Sequence, residues 1–212
     1  MKREYVLNQL KNLITIDSPT GYYENVQNYL INELKEMGFS PKHLRKGGVI
    51  VELGGEGNPL MMLSHVDTLG CFVHYIKENG RLAISNQTLN PNNIETEHVR
   101  VITRDEHIYE GTIQLVNASV HVNDDVNSPR TFQNLEVVLD EDVKSKADVE
   151  KLGISAGDVV AVEPRFTITE KGYIKSRFLD DKASAAVLLG IAKEVSENPR
   201  CLKRNVWLFF TV

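Results

Sequence analysis

The 212-residue chain carries only two cysteines, Cys71 and Cys201. They are too few and too far apart for a disulfide framework or a CxxC metal site, so a reducing cytoplasm is the expected location and each thiol is expected to be a small buried hydrophobe. No window approaches the run of about 18 apolar residues that a membrane span needs. The opening MKREYVLNQLKNLITIDSPTG has no long apolar core followed by a small-residue cleavage site, so it does not read as a signal peptide. Basic charge is not massed anywhere: 24 Lys and Arg are interspersed among 29 Asp and Glu, giving a formal net charge of -5. Neither nucleic acid nor an anionic membrane is therefore an expected partner. A phosphate loop is missing as well, because GGEGNP is followed by Pro59 and a further strand pattern where a helix should begin. Ser18, Ser64 and Ser184 stand in no hydrolase-elbow context, which leaves a serine mechanism without support.

What is present is an ordinary globular composition, 42% hydrophobic and 25% charged, sufficient for one sizeable core or two small ones. Val6, Leu10, Leu13 and Ile14 stand at helical spacing, as do Val26, Tyr29, Leu30, Leu34 and Met37, with Gly38 as a stop signal. GGVIVEL and NPLMMLSH read as strands, the second so apolar that both of its faces are expected to be covered. From Cys71 the texture changes to short alternating runs with turns at Asn79-Gly80 and Asp105-Glu106. One helix is expected within this β-rich stretch, opening at SKAD from Ser145 and stopping at Gly153. DVVAVEP and FTITEKGYIKS add strands, the latter turning at Glu170-Lys171-Gly172. A helical pattern returns at Asp180 and ends at Asn198-Pro199, and NVWLFFTV is a last apolar strand whose aromatic surface is expected to be uncovered. The organisation this predicts is an α/β domain over 1–71 and 164–212, interrupted by a β-rich domain over 72–163.

LSHVDTLG, residues 63–70, ends an apolar strand in a histidine and an aspartate. Side chains two apart on a strand share a side, so His65 and Asp67 can face one site at the carboxyl end where open α/β sheets bind ligands. An imidazole there suits zinc or cobalt, and a nearby carboxylate can orient it. A hydrogen-bonded histidine beside a loop aspartate would satisfy the same pattern. Asp180 and Asp181 open a helix, where acids cap orphan N–H groups and complement the dipole, or where one carboxylate can bridge two cations. His65 and Asp180 are so distant in sequence that only the fold can join them. HVNDDVNSPR, His121 to Arg130, reads as a loop rather than a ligand set, and the acids at 140–142 as a solvated run.

SHVDTLG, then a β-rich insertion, then GDVVAVEPRF and KSRFLDDKASAAVLL, in that order, resembles the tetrahedral or glutamyl aminopeptidase family of dinuclear metallopeptidases. The resemblance implies a zinc-exopeptidase-like mixed sheet with flanking helices and an inserted β-rich domain, PDZ-like or a barrel. It implies that His65 ligates one of two divalent ions, zinc or cobalt, that Asp67 is the catalytic aspartate orienting this histidine, and that Asp180 bridges the two ions. It further implies a peptide substrate and self-association through residues 72–163, from a dimer to a dodecamer. A later Glu-Glu pair is expected beyond the last apolar strand, at or past Val212, so turnover by these residues alone is expected to be negligible. Thr68 stands where many members have Glu and Lys182 where Arg is common, which bears on substrate preference. Related aminoacylase, carboxypeptidase-type or endoglucanase-labelled hydrolases, and a non-catalytic self-association module, are the alternative readings.

Overall fold

The computed structural model describes residues 2–86, 89–124 and 127–212, and the chain divides into two compact units. One comprises the chain up to Thr68 together with Pro164–Val212, the other Leu69–Glu163.

The first unit opens with helices α1 (Arg3–Thr15) and α2 (Glu24–Glu36), followed by strands β1 (Lys42–His43), β2 (Val49–Gly54) and β3 (Leu60–His65). Helix α1 buries Leu10, Leu13 and Ile14, the positions that helical periodicity stacks on one face. Gln9 is buried with them: its amide donates to Glu33 at 2.8 Å and accepts from the Tyr29 hydroxyl at 2.6 Å, tying α1 to α2. Helix α2 stops where Gly38 adopts φ +89°, with Gly38 N–H donating to Lys35 and Phe39 N–H to Leu34, the bond pair that satisfies a helix's last carbonyls.

The second unit contains β4 (Cys71–Ile76), β5 (Leu82–Asn86), β6 (His98–Ile102), β7 (Ile108–Leu115), β8 (Leu135–Leu139), helix α3 (Lys146–Lys151) and β9 (Val159–Val162). Its strands close into a barrel in the order β4-β5-β8-β7-β6-β9. Inward-facing Val73, Ile84, Val101, Ile113, Val137 and Val160 fill it, each no more than 2% exposed. Glu136, adjacent to Val137 on β8 and so on the strand's other face, is only 1% exposed, and Lys77 (2.7 Å) and Arg81 both pair with it. Helix α3 is capped as SKAD suggests: Ser145 accepts from Asp148 N–H and donates to the Asp148 carboxylate at 2.7 Å. Residues 121–130 contain no helix or strand where described; Asp125 and Val126 lie outside the described residues. Cys71 is buried, but Cys201 is exposed in a short 3-10 turn, so only one thiol behaves as a core residue.

The chain returns to the first unit through the hairpin β10 (Thr167–Ile168) and β11 (Ile174–Lys175), helix α4 (Leu179–Glu197) and strand β12 (Val206–Thr211). The sheet order is β1-β2-β12-β3, with β12 antiparallel to β2 and parallel to β3. Val49, Val51 and Leu53 of β2 and Val206, Leu208 and Phe210 of β12 join Leu13, Leu30, Leu34 and Leu189 of the helices in one core. On the opposite face Met61 is 49% and Leu63 64% exposed, so β3 is not covered on both faces. An apolar run cannot say which of a strand's faces the rest of the fold covers. The last strand also differs from expectation: β12 sits between β2 and β3, and Phe210 is fully buried. No helix among the described residues is long and apolar enough to cross a membrane.

Candidate metal centre

Strand β3 ends at His65, registered beside Thr211 of β12, and Val66 N–H still donates to Thr211 at 3.0 Å before the chain leaves the sheet. The extended backbone brings Asp67 back to the same ring. His65 Nδ1 is 3.2 Å from the Asp67 carbonyl oxygen and 3.3 Å from Asp67 Oδ1. Both neighbours are acceptors, so Nδ1 carries the proton and shares it between them. On the other side of the ring, Nε2 lies 3.0 Å from Asp180 Oδ1.

Asp180 reaches His65 because α4 does not begin as a regular helix. Phe178 is left-handed at φ 63°, and Asp180 (φ -84°, ψ 107°) and Asp181 (φ -122°, ψ 23°) are not helical. The Asp180–Asp181 peptide is cis. Buried Ser64, the residue before His65, donates to the Asp181 carbonyl at 2.9 Å and so fixes the start of α4 against the end of β3. Lys182 is fully buried beneath, its ammonium donating to the carbonyls of Leu13 (2.7 Å) and Ile16 (2.8 Å) at the end of α1. Burial pushes the Lys182 pKa down to about 7, against the opposing pull of Asp17 and Asp67.

The His65 pKa moves the other way. Burial disfavours the charged ring, but the hydrogen bond to Asp180, the Asp67 carbonyl and the two carboxylate charges together raise it above the ordinary histidine value. With Nδ1 protonated, a neutral ring turns its Nε2 lone pair directly at a carboxylate oxygen. That contact is favourable only if the ring takes up a second proton or if a cation is shared between the two atoms. Two ligands at about 2.0–2.2 Å from one tetrahedral zinc lie roughly 3–4 Å apart, and this pair meets that spacing. The nitrogen and oxygen donors, with a carboxylate behind the ring, therefore fit a borderline divalent ion such as zinc. They do not complete a site: among the described residues no group of three or more His, Cys, Asp or Glu is placed to hold an ion.

The structure thus brings His65, Asp67 and Asp180 into one cluster. Sequence reasoning missed its supports. In the sequence Ser64 and Ser18 suggest at most nucleophiles, and the Thr20 hydroxyl, 2.7 Å from Asp67 Oδ2, has no signal beyond lying in the turn sequence DSPTG.

A mixed α/β unit with a histidine–carboxylate pair at the carboxyl end of a parallel-paired strand, interrupted in sequence by a β-barrel, has the fold of the zinc-exopeptidase class. The chain belongs to the M42 glutamyl aminopeptidase family, whose sequence profile matches residues 47–212. It is 43% identical over 190 residues to YhfE of Bacillus subtilis (strain 168), covering 88% of this chain and 55% of that protein. Aminopeptidase APDkam598 from the archaeon Desulfurococcus kamchatkensis has the same fold, with TM-score 0.83 and 24% identity over 99% of this chain and 56% of its own. The TET1 peptidase of Pyrococcus horikoshii, which can assemble into a tetrahedron or a large octahedral shell, superposes with TM-score 0.81 and 25% identity, covering 98% of this chain and 61% of that one. The chain spans about half the length of the curated relatives it matches.

Proposed function

We propose that these residues carry the first part of a two-metal aminopeptidase site that removes N-terminal residues from peptides. The observation that carries the reading is the 3.0 Å approach of His65 Nε2 to Asp180 Oδ1 with Nδ1 already occupied by Asp67. Zinc or cobalt bound there would supply Lewis acidity toward a peptide carbonyl. His65 presents Nε2 as a ligand because Asp67 holds the proton on Nδ1, the role in which a second carboxylate raises the basicity of a ligating histidine. Asp180 turns one oxygen to His65 while its side chain is 95% exposed, leaving the other oxygen open for a second ion. Asp67, expected as the catalytic aspartate, acts in this reading through His65, as the carboxylate that positions its ring. Family membership supports the activity, and the assembly of the TET1 relative supports a homo-oligomer, which we assign to the barrel over 72–163. The two free thiols are in keeping with a cytoplasmic location.

Because His65 and Asp180 are the only direct donors at this place among the described residues, ion binding is the decisive readout for this chain. Titration with zinc should show uptake that His65→Ala abolishes; unchanged uptake in that variant would sink the reading. In a longer chain carrying the remaining family elements, an aminoacyl-p-nitroanilide with a free amine should be cleaved in preference to its N-acetyl form. The reverse preference would favour an aminoacylase-type hydrolase.

A further inference from the structure

We propose that Thr20 is a positioning residue for Asp67 and, through it, for His65; the proposal rests on the metal-site reading above. The turn between α1 and α2 is fastened along the stretch that carries Asp67. Fully buried Ser18 donates its hydroxyl to the Val66 carbonyl at 2.8 Å, and Thr68 N–H donates to the Ser18 carbonyl at 2.8 Å. Thr20 N–H donates to the Thr68 carbonyl at 3.0 Å, and Pro19 bridges Thr68 in parallel. The start of this turn is held in turn by Lys182, through the Ile16 carbonyl. Two polypeptide segments far apart in sequence are thereby laced into a rigid frame on either side of Asp67.

Against that frame the Thr20 hydroxyl has two acceptors within reach, Asp67 Oδ2 at 2.7 Å and the Thr68 carbonyl at 3.4 Å. A hydroxyl has one proton, and the shorter bond to an ionised carboxylate is the stronger by roughly a factor of two, so it goes to Asp67. The two oxygens of Asp67 then have separate duties: Oδ2 is held by Thr20 and Oδ1 faces His65 Nδ1 at 3.3 Å. Without the hydroxyl, the carboxylate is free to swing about its last torsion, which is broad and nearly two-fold. Nδ1 would keep only the backbone carbonyl of Asp67. Thr20 is itself exposed, so its bond adds little to folding, and its effect falls on the orientation of Asp67 rather than on stability.

The test compares Thr20→Val and Thr20→Ala, which lack the hydroxyl, with Thr20→Ser, which keeps it, in the full 212-residue chain. Two readouts are taken: the ring 15N resonances of His65 without metal, assigned by their loss in His65→Gln, and zinc affinity by competition with a chromophoric chelator. Loss of an outer partner of a metal-bound histidine typically weakens binding by about 10–100-fold, and Thr20, one bond further out, should sit near the bottom of that range. Thr20→Val and Thr20→Ala should also move the Nδ1 resonance toward the unprotonated position, and Thr20→Ser should restore both quantities. In an Asp67→Asn background, Thr20→Val should add nothing. Wild-type resonances and affinity in the hydroxyl-free variants would overturn the proposal, and so would a Thr20→Ser variant as impaired as Thr20→Val. If zinc binds neither the parent nor any variant, the metal-site reading fails, while the Nδ1 resonance still decides the role of Thr20.

Discussion

His65 Nε2 and Asp180 Oδ1 lie 3.0 Å apart although 115 residues separate them in sequence. The pair depends on parallel pairing of β3 with β12, which sets His65 at the sheet's end, and on an irregular start to α4, which turns Asp180 toward it. If both atoms are ligands, His65→Ala and Asp180→Ala should each weaken zinc binding by more than the roughly 10–100-fold typical of an outer partner, with Asp67→Asn inside that range. Competition titration with a chelator checks the ranking, and far-UV circular dichroism should show all three variants folded.

Ser64 joins the two halves of that geometry through its bond to the Asp181 carbonyl. Ser64→Ala leaves a carbonyl without its partner at a position where the serine is only 1% exposed. The expected cost is about 1–3 kcal/mol, read as a lower urea midpoint at unchanged slope. Zinc affinity should fall with it, since Asp180 precedes the carbonyl that loses its anchor.

In the barrel, Glu136 is a buried carboxylate held by Lys77 and Arg81. Glu136→Ala removes the acceptor shared by Lys77 and Arg81, but these cations are 20% and 39% exposed and can turn to water, so the screened loss is about 1–3 kcal/mol. Lys77→Met should cost less, because Arg81 remains and the Lys77 side chain is already 20% exposed. Hydrogen exchange at the amides of β8 reports the loss within the barrel itself.

The two thiols should differ in reactivity. Burial pushes the Cys71 pKa up to about 12, so near neutral pH the group stays a protonated thiol, while Cys201 is exposed. Ellman's reagent should modify one equivalent rapidly in the native protein and the second only on unfolding. Rapid modification of both would mean that the interface between β4 and its neighbours opens readily.

The sequence patterns that proved legible are those with a local physical cause. Helical spacing in α1, the glycine stop after α2, the SKAD cap of α3 and the turn at Gly172 each satisfy their own backbone within a few residues. The alternation of β7 is readable for the same reason, since that strand shows one buried and one open face, whereas β8 and β9 are buried almost throughout. What was not legible depends on partners chosen by the fold. Nothing in LMMLSH says that the face carrying Met61 and Leu63 is open while the other is covered, and nothing in NVWLFFTV says that it enters the middle of the sheet. His65, Asp67 and Asp180 stand out as polar groups at the ends of elements, but residue type alone leaves a satisfied histidine and helix-capping acids equally open, and their joint role follows only from the family resemblance. Ser64, Thr20 and Lys182 were missed as supports because a hydroxyl or an ammonium aimed at a distant carbonyl leaves no periodic trace.

The placement of β12 between β2 and β3 sets an order of events during synthesis. The barrel strands are contiguous in the chain and can pair as soon as Glu163 has emerged. The other unit cannot close its sheet until β12 has been made and threaded between two strands that have waited since residues 49–65. Until then β2 and β3 lack their shared neighbour and expose apolar edges, the condition in which nascent chains are most prone to misassembly. The cluster of His65, Asp67 and Asp180, which needs the end of β3 and the start of α4 together, is therefore among the last features of this chain to acquire its shape.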